Sequence, residues 1–138
     1  MAFETSCQVR FAHVDGAGIA FYPRYFEMLN AAVEDWFAQA LGADFRSMHH
    51  DRGIGVPTVK LDAEFLAPGK LGDVLQIRIT PSHVGRSSCA FDAVFAGAGH
   101  DRVRVSATLV CMDLAAKKAV PWPEDIHTRM LGTMEMAG

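Results

Sequence analysis

Positive charge, cysteine and long apolar runs are all in short supply, and each shortage removes a class of function. The 138 residues carry 13 Lys and Arg against 16 Asp and Glu, for a net charge of −3. A nucleic-acid binder ordinarily needs a basic excess, so no nucleic-acid partner is expected. No apolar run reaches the roughly 18 residues of a membrane span, and no basic segment followed by an apolar core opens the chain. The expectation is a cytoplasmic protein without a membrane partner. Three cysteines, Cys7, Cys89 and Cys111, are an odd number at unrelated spacings, which suits a reducing compartment. Cys89 and Cys111 fall within apolar alternation and read as small core residues, not nucleophiles. His49 and His50 are adjacent, and no Cys or carboxylate pattern completes a ligand set around the six histidines, so no metal site is expected.

Half the residues are apolar and 21% are charged, an ordinary composition for one domain spanning residues 1–138. A chain of this length buries roughly two thirds of its unfolded surface without disulfides or metals. There are no internal repeats or linkers. Residues 4 to 12 read as a first strand. Phe26, Leu29, Val33, Trp36, Phe37, Ala40 and Leu41 then recur at three- and four-residue spacing, the stripe of one long helix. Pro23 suits the start of that helix and Gly42 a left-handed cap at its end. Beyond a polar connection the period changes to two. Val59 to Phe65, Leu75 to Ile79, Cys89 to Phe95 and Val103 to Cys111 alternate, reading as four strands of an antiparallel meander. Pro121-Trp122-Pro123 suggests a kinked strand end followed by a short helix. One amphipathic helix and one sheet with a single apolar face must bury each other, giving an α+β domain. A single helix covers little of a five-stranded sheet, and Val94, Val110 and Met112 leave apolar weight on its outer face, so an oligomer is expected.

The most informative stretch runs from Phe11 to Tyr25. Asp15 sits in a loop of small residues, with Gly16 and Gly18 permitting backbone conformations a side chain would forbid. It precedes a helix N-terminus whose free N–H groups carry partial positive charge. A carboxylate beside an anion-stabilising amide is what acyl transfer needs. A turn or N-cap role for Asp15 is the plainer alternative.

Val9-Arg10-Phe11, His13-Val14-Asp15, Ala17-Gly18-Ile19, Tyr22-Pro23 and Tyr25-Phe26 together resemble the signature of the 4-hydroxybenzoyl-CoA thioesterase family of hotdog-fold hydrolases. The likeness continues through Gly55-Val56-Pro57, Val84-Gly85-Arg86-Ser87-Ser88 and Cys111-Met112-Asp113, and so covers residues 8 to 125. It implies a hotdog fold, a five-stranded antiparallel sheet wrapped around one long helix. It also implies a dimer or dimer of dimers with active sites across the dimer interface. The substrate would be an acyl-CoA thioester. Coenzyme A would be part of that substrate, and no separate cofactor is implied.

By the same resemblance Asp15 carries catalysis, attacking the thioester carbonyl or serving as general base toward water. The Tyr22 backbone amide would donate to the developing oxyanion. His13 stands where many relatives carry an acidic residue; it would donate a proton to the departing thiolate, orient Asp15, or simply contact the interface. Gly18 and Tyr25 are expected beside the substrate, and Phe11, Phe21 and Met28 with Tyr25 could line an apolar acyl pocket. Arg86 and Ser87 would meet coenzyme A phosphates, whereas Arg24, Arg52, Lys60 and Lys70 read as surface charges. Asn30 occupies the helix position where the hydroxybenzoyl-specific enzymes carry an Asp, and Val56 the place of a hydroxyl residue. Both differences weaken a hydroxybenzoyl assignment and leave an aliphatic or aromatic acyl group open, on CoA or on an acyl-carrier protein. A hotdog hydratase is disfavoured because Ala20 stands where its histidine belongs, and a non-catalytic acyl-CoA-binding module is the remaining alternative.

Overall fold

The computed structural model describes residues 2–137. In chain order the elements are β1 (Phe3–Gln8), α1 (Arg24–Gln39), β2 (Ile54–Gly55), β3 (Thr58–Phe65), β4 (Val74–Val84), β5 (Ser88–Gly97), β6 (His100–Val110), β7 (Met112–Asp113), β8 (Lys118–Ala119) and α2 (Glu124–Ala137). The main sheet has five strands in the order β1-β4-β5-β6-β3, all antiparallel. It is the expected α+β hotdog architecture.

Helix α1 lies across the sheet because its apolar stripe has nowhere else to go. Tyr25, Met28, Leu29, Ala32, Val33, Trp36 and Phe37 are buried along it. They meet the inward residues of β4, β5 and β6, including Ile77, Phe91, Phe95 and Val105, each at most 3% exposed. Trp36 packs on Phe91 at 6.1 Å between ring centroids, and Tyr25 meets Phe95 edge-on at 5.7 Å. Gly42, at φ 67°, turns the chain out of the helix so that the Ala43 N–H returns to the Phe37 carbonyl. Helix α2 begins directly after Pro123 and packs against β4, burying Ile126 and Met130; at 14 residues it exceeds the short helix expected. Burial pushes the Cys89 thiol up to about 12 and Cys111 to about 11, so both remain protonated core residues.

Three expectations need correcting. The first strand ends at Gln8, not residue 12, and Phe11–His13 form a 3-10 turn. Val9 leaves the ladder to exchange bonds with the chain before β4, donating to Asp73 and accepting from Gly72. Second, only β4, β5 and β6 form a meander. Strand β3 pairs with β6, so residues 66–73 cross from one side of the sheet to the other instead of making a hairpin. The buried Arg102 holds that crossover. Its side chain donates to the Pro68 carbonyl at 2.8 Å and pairs with Asp73 at 3.0 Å, while its own carbonyl accepts from Leu66 and Ala67.

Third, the surplus apolar surface is not on the outer face of the sheet. That face is largely polar, with Arg78–Glu4 and Arg104–Asp101 pairs, and Val94, Val110 and Met112 are half-buried. Exposed apolar side chains cluster instead along β3 and just before α1, with Phe11, Leu71 and Val74 exposed elsewhere. Val59 is 61% exposed, Phe65 48%, and Tyr22 58%. β3 shares its inward face with Val103, Val105 and Ala107 of β6, but α1 is too narrow to cover it, and its outer edge pairs with nothing among the described residues.

Candidate active site

Asp15 stands at the tip of a tight turn that feeds α1. Its N–H donates to the Ile19 carbonyl at 3.0 Å, its carbonyl accepts from Gly18 at 3.1 Å, and Val14 bridges Ala20. Gly18 closes this turn at φ 78°, a conformation that glycine adopts without strain. One carboxylate oxygen of Asp15 accepts the Ala17 N–H at 2.8 Å, leaving the other unbonded among the described residues. The turn role and a chemical role are therefore compatible, since the hydrogen bond orients the carboxylate through one oxygen only.

The first turn of α1 is tight: Arg24, Tyr25 and Phe26 donate back to Phe21, Tyr22 and Pro23. The Phe21 N–H goes to His13, and Pro23 has none to give. Among the described residues, the Tyr22 N–H finds no acceptor. It is the free amide at the positive end of the helix.

In one chain Asp15 is exposed. The reason is geometric: α1, β1 and the crossover stand behind the turn, and among the described residues no element stands in front of it. His13 uses Nδ1 to accept the Arg10 N–H at 2.8 Å, which places its proton on Nε2 in the neutral ring and ties it to the 3-10 turn. Tyr25, expected at the substrate, is 3% exposed, and its hydroxyl accepts the Gly69 N–H at 2.9 Å.

Two cavities border α1. A smaller one of about 270 Å³ lies by its N-terminus, bounded by Ile19, Tyr22, Tyr25, Phe65 and Pro68. A larger one of about 950 Å³ runs along its middle and brings Asn30 and Val56 together, with Phe26, Leu61, Leu109 and Met112 supplying apolar walls. His49 also lines it, stacked on Phe45 at 6.0 Å; in sequence its adjacency to His50 hides which face it takes. A π-helical turn over Ser47–Arg52 decides that. Of the other residues considered for an acyl pocket, Met28 is buried in the core, and Phe11, 82% exposed, lines neither cavity.

Arg86 and Ser87 sit in the turn between β4 and β5. Their carbonyls accept from Trp122 and Cys111, and the Arg86 side chain is exposed. That turn adjoins the start of β3, because Cys111 bonds Ser87 while Val110 bonds Pro57. The Asp15 turn adjoins the other end, where Tyr22 packs on Phe65 at 5.9 Å. Strand β3 is 8 residues long, or about 26 Å. Asp15 and Tyr22 therefore lie at one end of β3, and Arg86, Ser87 and Val56 at the other. Among the described residues no cluster of His, Cys, Asp and Glu could hold a metal ion, and no helix is long and apolar enough to cross a membrane.

A family model described as the thioesterase-like superfamily matches residues 9–130. The chain belongs to this superfamily. A 1,4-dihydroxy-2-naphthoyl-CoA hydrolase of Thermosynechococcus vestitus is 31% identical over 130 residues, covering 94% of this chain and 88% of that protein. A 4-hydroxybenzoyl-CoA thioesterase of Pseudomonas is 34% identical over 71 residues, covering 51% of this chain and 50% of that protein. The crystal structure of a 1,4-dihydroxy-2-naphthoyl-CoA thioesterase from Synechocystis superposes with a TM-score of 0.85 at 23% identity, covering 95% of this chain and 96% of that one, a likeness of fold. Membership of the thioesterase-like superfamily carries the enzyme class, thioester hydrolysis.

Proposed function

We propose that the protein is an acyl-CoA thioesterase in which Asp15 activates water or attacks the thioester carbonyl, and the Tyr22 amide receives the developing oxyanion. The observation that carries this reading is the free Tyr22 N–H at the start of α1, one short turn away from a carboxylate with one oxygen unbonded. A preorganised donor of this kind typically lowers a barrier by about 3 kcal/mol, because it is already aimed where charge develops. Neither step needs a separate cofactor.

A second copy of the chain completes the site. If the open edge of β3 pairs antiparallel with its own symmetry mate, the Phe65 end of one strand meets the Thr58 end of the other. The Asp15 turn of one copy then faces Arg86 and Ser87 of its mate, and the exposed Val59, Leu61 and Phe65 become covered. Such a dimer, alone or paired again, would dry the carboxylate and supply a guanidinium for the coenzyme A phosphates. The large cavity, mostly apolar but with Glu27, Asn30, Glu34, His49 and Thr58 also on its walls, favours an aromatic acyl group bearing a polar substituent, as the names of the relatives suggest. The three free cysteines fit a cytoplasmic setting.

The test is thiol release from a panel of acetyl-, hexanoyl-, benzoyl-, 4-hydroxybenzoyl- and 1,4-dihydroxy-2-naphthoyl-CoA, followed beside the absorbance of an enoyl-CoA. Release that is fastest with the hydroxylated aroyl groups supports the proposal. Loss of enoyl absorbance without thiol would make the protein a hydratase, and inertness toward every thioester would make it a binding module.

A further inference from the structure

We infer that Tyr25, acting through the β3–β4 crossover, is a positioning residue that fixes the Asp15 turn against the start of α1; this rests on the roles proposed above for Asp15 and Tyr22. Tyr25 lies within the first turn of α1, three residues after Tyr22. Its ring is buried against Phe95 and its hydroxyl reaches out of the helix to the crossover, accepting the Gly69 N–H at 2.9 Å. The Gly69 carbonyl in turn accepts the Ala20 N–H at 2.8 Å, Ile19 bridges Lys70, and the Leu71 N–H donates to Gly18 at 3.2 Å.

These bonds close a ring. One path from the Asp15 turn to α1 is covalent, through Phe21 to Pro23. The other runs from Ala20 through Gly69 to the Tyr25 hydroxyl. A turn built on Gly16 and Gly18 is loose by itself, and a second tether removes that freedom. The crossover is fit to serve as the tether because Arg102 anchors it from the sheet, through Pro68 at 2.8 Å and Asp73 at 3.0 Å.

The fit between Tyr25 and Gly69 is size-specific. A Cβ at position 69 would stand 2.7 Å from the Tyr25 hydroxyl oxygen, too close to be tolerated, but 3.7 Å from the ring carbon that bears it. Glycine is required there by the hydroxyl and not by backbone conformation, since Gly69 is not among the positive-φ residues. That arrangement predicts an interaction between two substitutions that a general loss of stability would not produce.

The experiment compares kcat and KM for thiol release by wild type, Tyr25→Phe, Gly69→Ala, the double variant and Asp15→Asn, using the panel thioester with the highest turnover. A displacement of about 1 Å can cost about 10²-fold in rate, so kcat of Tyr25→Phe should fall by about 10- to 100-fold with KM within about threefold. Gly69→Ala should lose activity alone, yet cost nothing further in the Tyr25→Phe background, where the clashing oxygen is gone. Wild-type kcat in Tyr25→Phe beside an inactive Asp15→Asn overturns the positioning role and leaves the proposed chemistry standing. Additive losses in the double variant also overturn it. Wild-type turnover in Asp15→Asn overturns the chemistry itself. Should Tyr25→Phe fail to fold, amide exchange in the wild type decides: slow exchange shared by Gly69 and Ala20 supports the tether, and fast exchange at Gly69 overturns it.

Discussion

The imidazole of His13 accepts the backbone N–H of Arg10 through Nδ1 at 2.8 Å, three residues back along the chain. That bond occupies one ring nitrogen with local structure and turns His13 into the brace of the 3-10 turn that precedes Asp15. A glutamine offers an acceptor of similar reach. His13→Gln is therefore expected to keep the alkaline limb of the pH–rate profile unchanged. Loss of that limb would show that His13 donates a proton to the departing thiolate.

Arg86 is expected to act on the nucleotide end of the substrate and not on the acyl group. Arg86→Ala should raise KM for an acyl-CoA by about tenfold, the weight of one charge-assisted hydrogen bond of about 1.5 kcal/mol. The same acyl group on pantetheine lacks the nucleotide phosphates and should lose much less. Equal changes on both substrates, measured by thiol release, would remove Arg86 from phosphate recognition.

Asp73 links acid stability to the crossover. The Lys70 N–H, and then the Arg102 guanidinium, hold its carboxyl below the usual carboxylate range. A carboxyl depressed in the folded state contributes stability that is present above its unfolded value of about 4 and is lost as pH falls through the folded one. Thermal denaturation of Asp73→Asn should thus give a lower Tm at pH 7 and a shallower fall of Tm between about pH 5 and pH 3. A Tm–pH curve parallel to wild type over that interval would contradict the linkage.

How much of this was legible in sequence follows from the range of each interaction. The α1 stripe, its cap at Gly42 and the alternation of β4, β5 and β6 are local patterns, and they appear where expected. The place of β3 was not legible, because its alternation is the same whether it neighbours β4 or β6. What decides is the Arg102 anchor on residues 66–73, a contact between segments 34 residues apart. The bond between the Tyr25 hydroxyl and the Gly69 N–H was not legible either, since the two residues lie 44 positions apart. The motif around Asp15 could be read because turn, glycine and helix start are contiguous. The exposure of Asp15 could not, because it depends on which distant elements pack around the turn.

The most direct test of the central claim is the thioesterase activity of Asp15→Asn. Asparagine retains an oxygen for the Ala17 N–H and so keeps the turn, while removing the charge. With Tm, oligomeric state and substrate-analogue affinity equal to wild type, kcat for thiol release should fall by at least about 10²-fold. A variant that turns over at close to the wild-type rate would show that the chemistry belongs to another group.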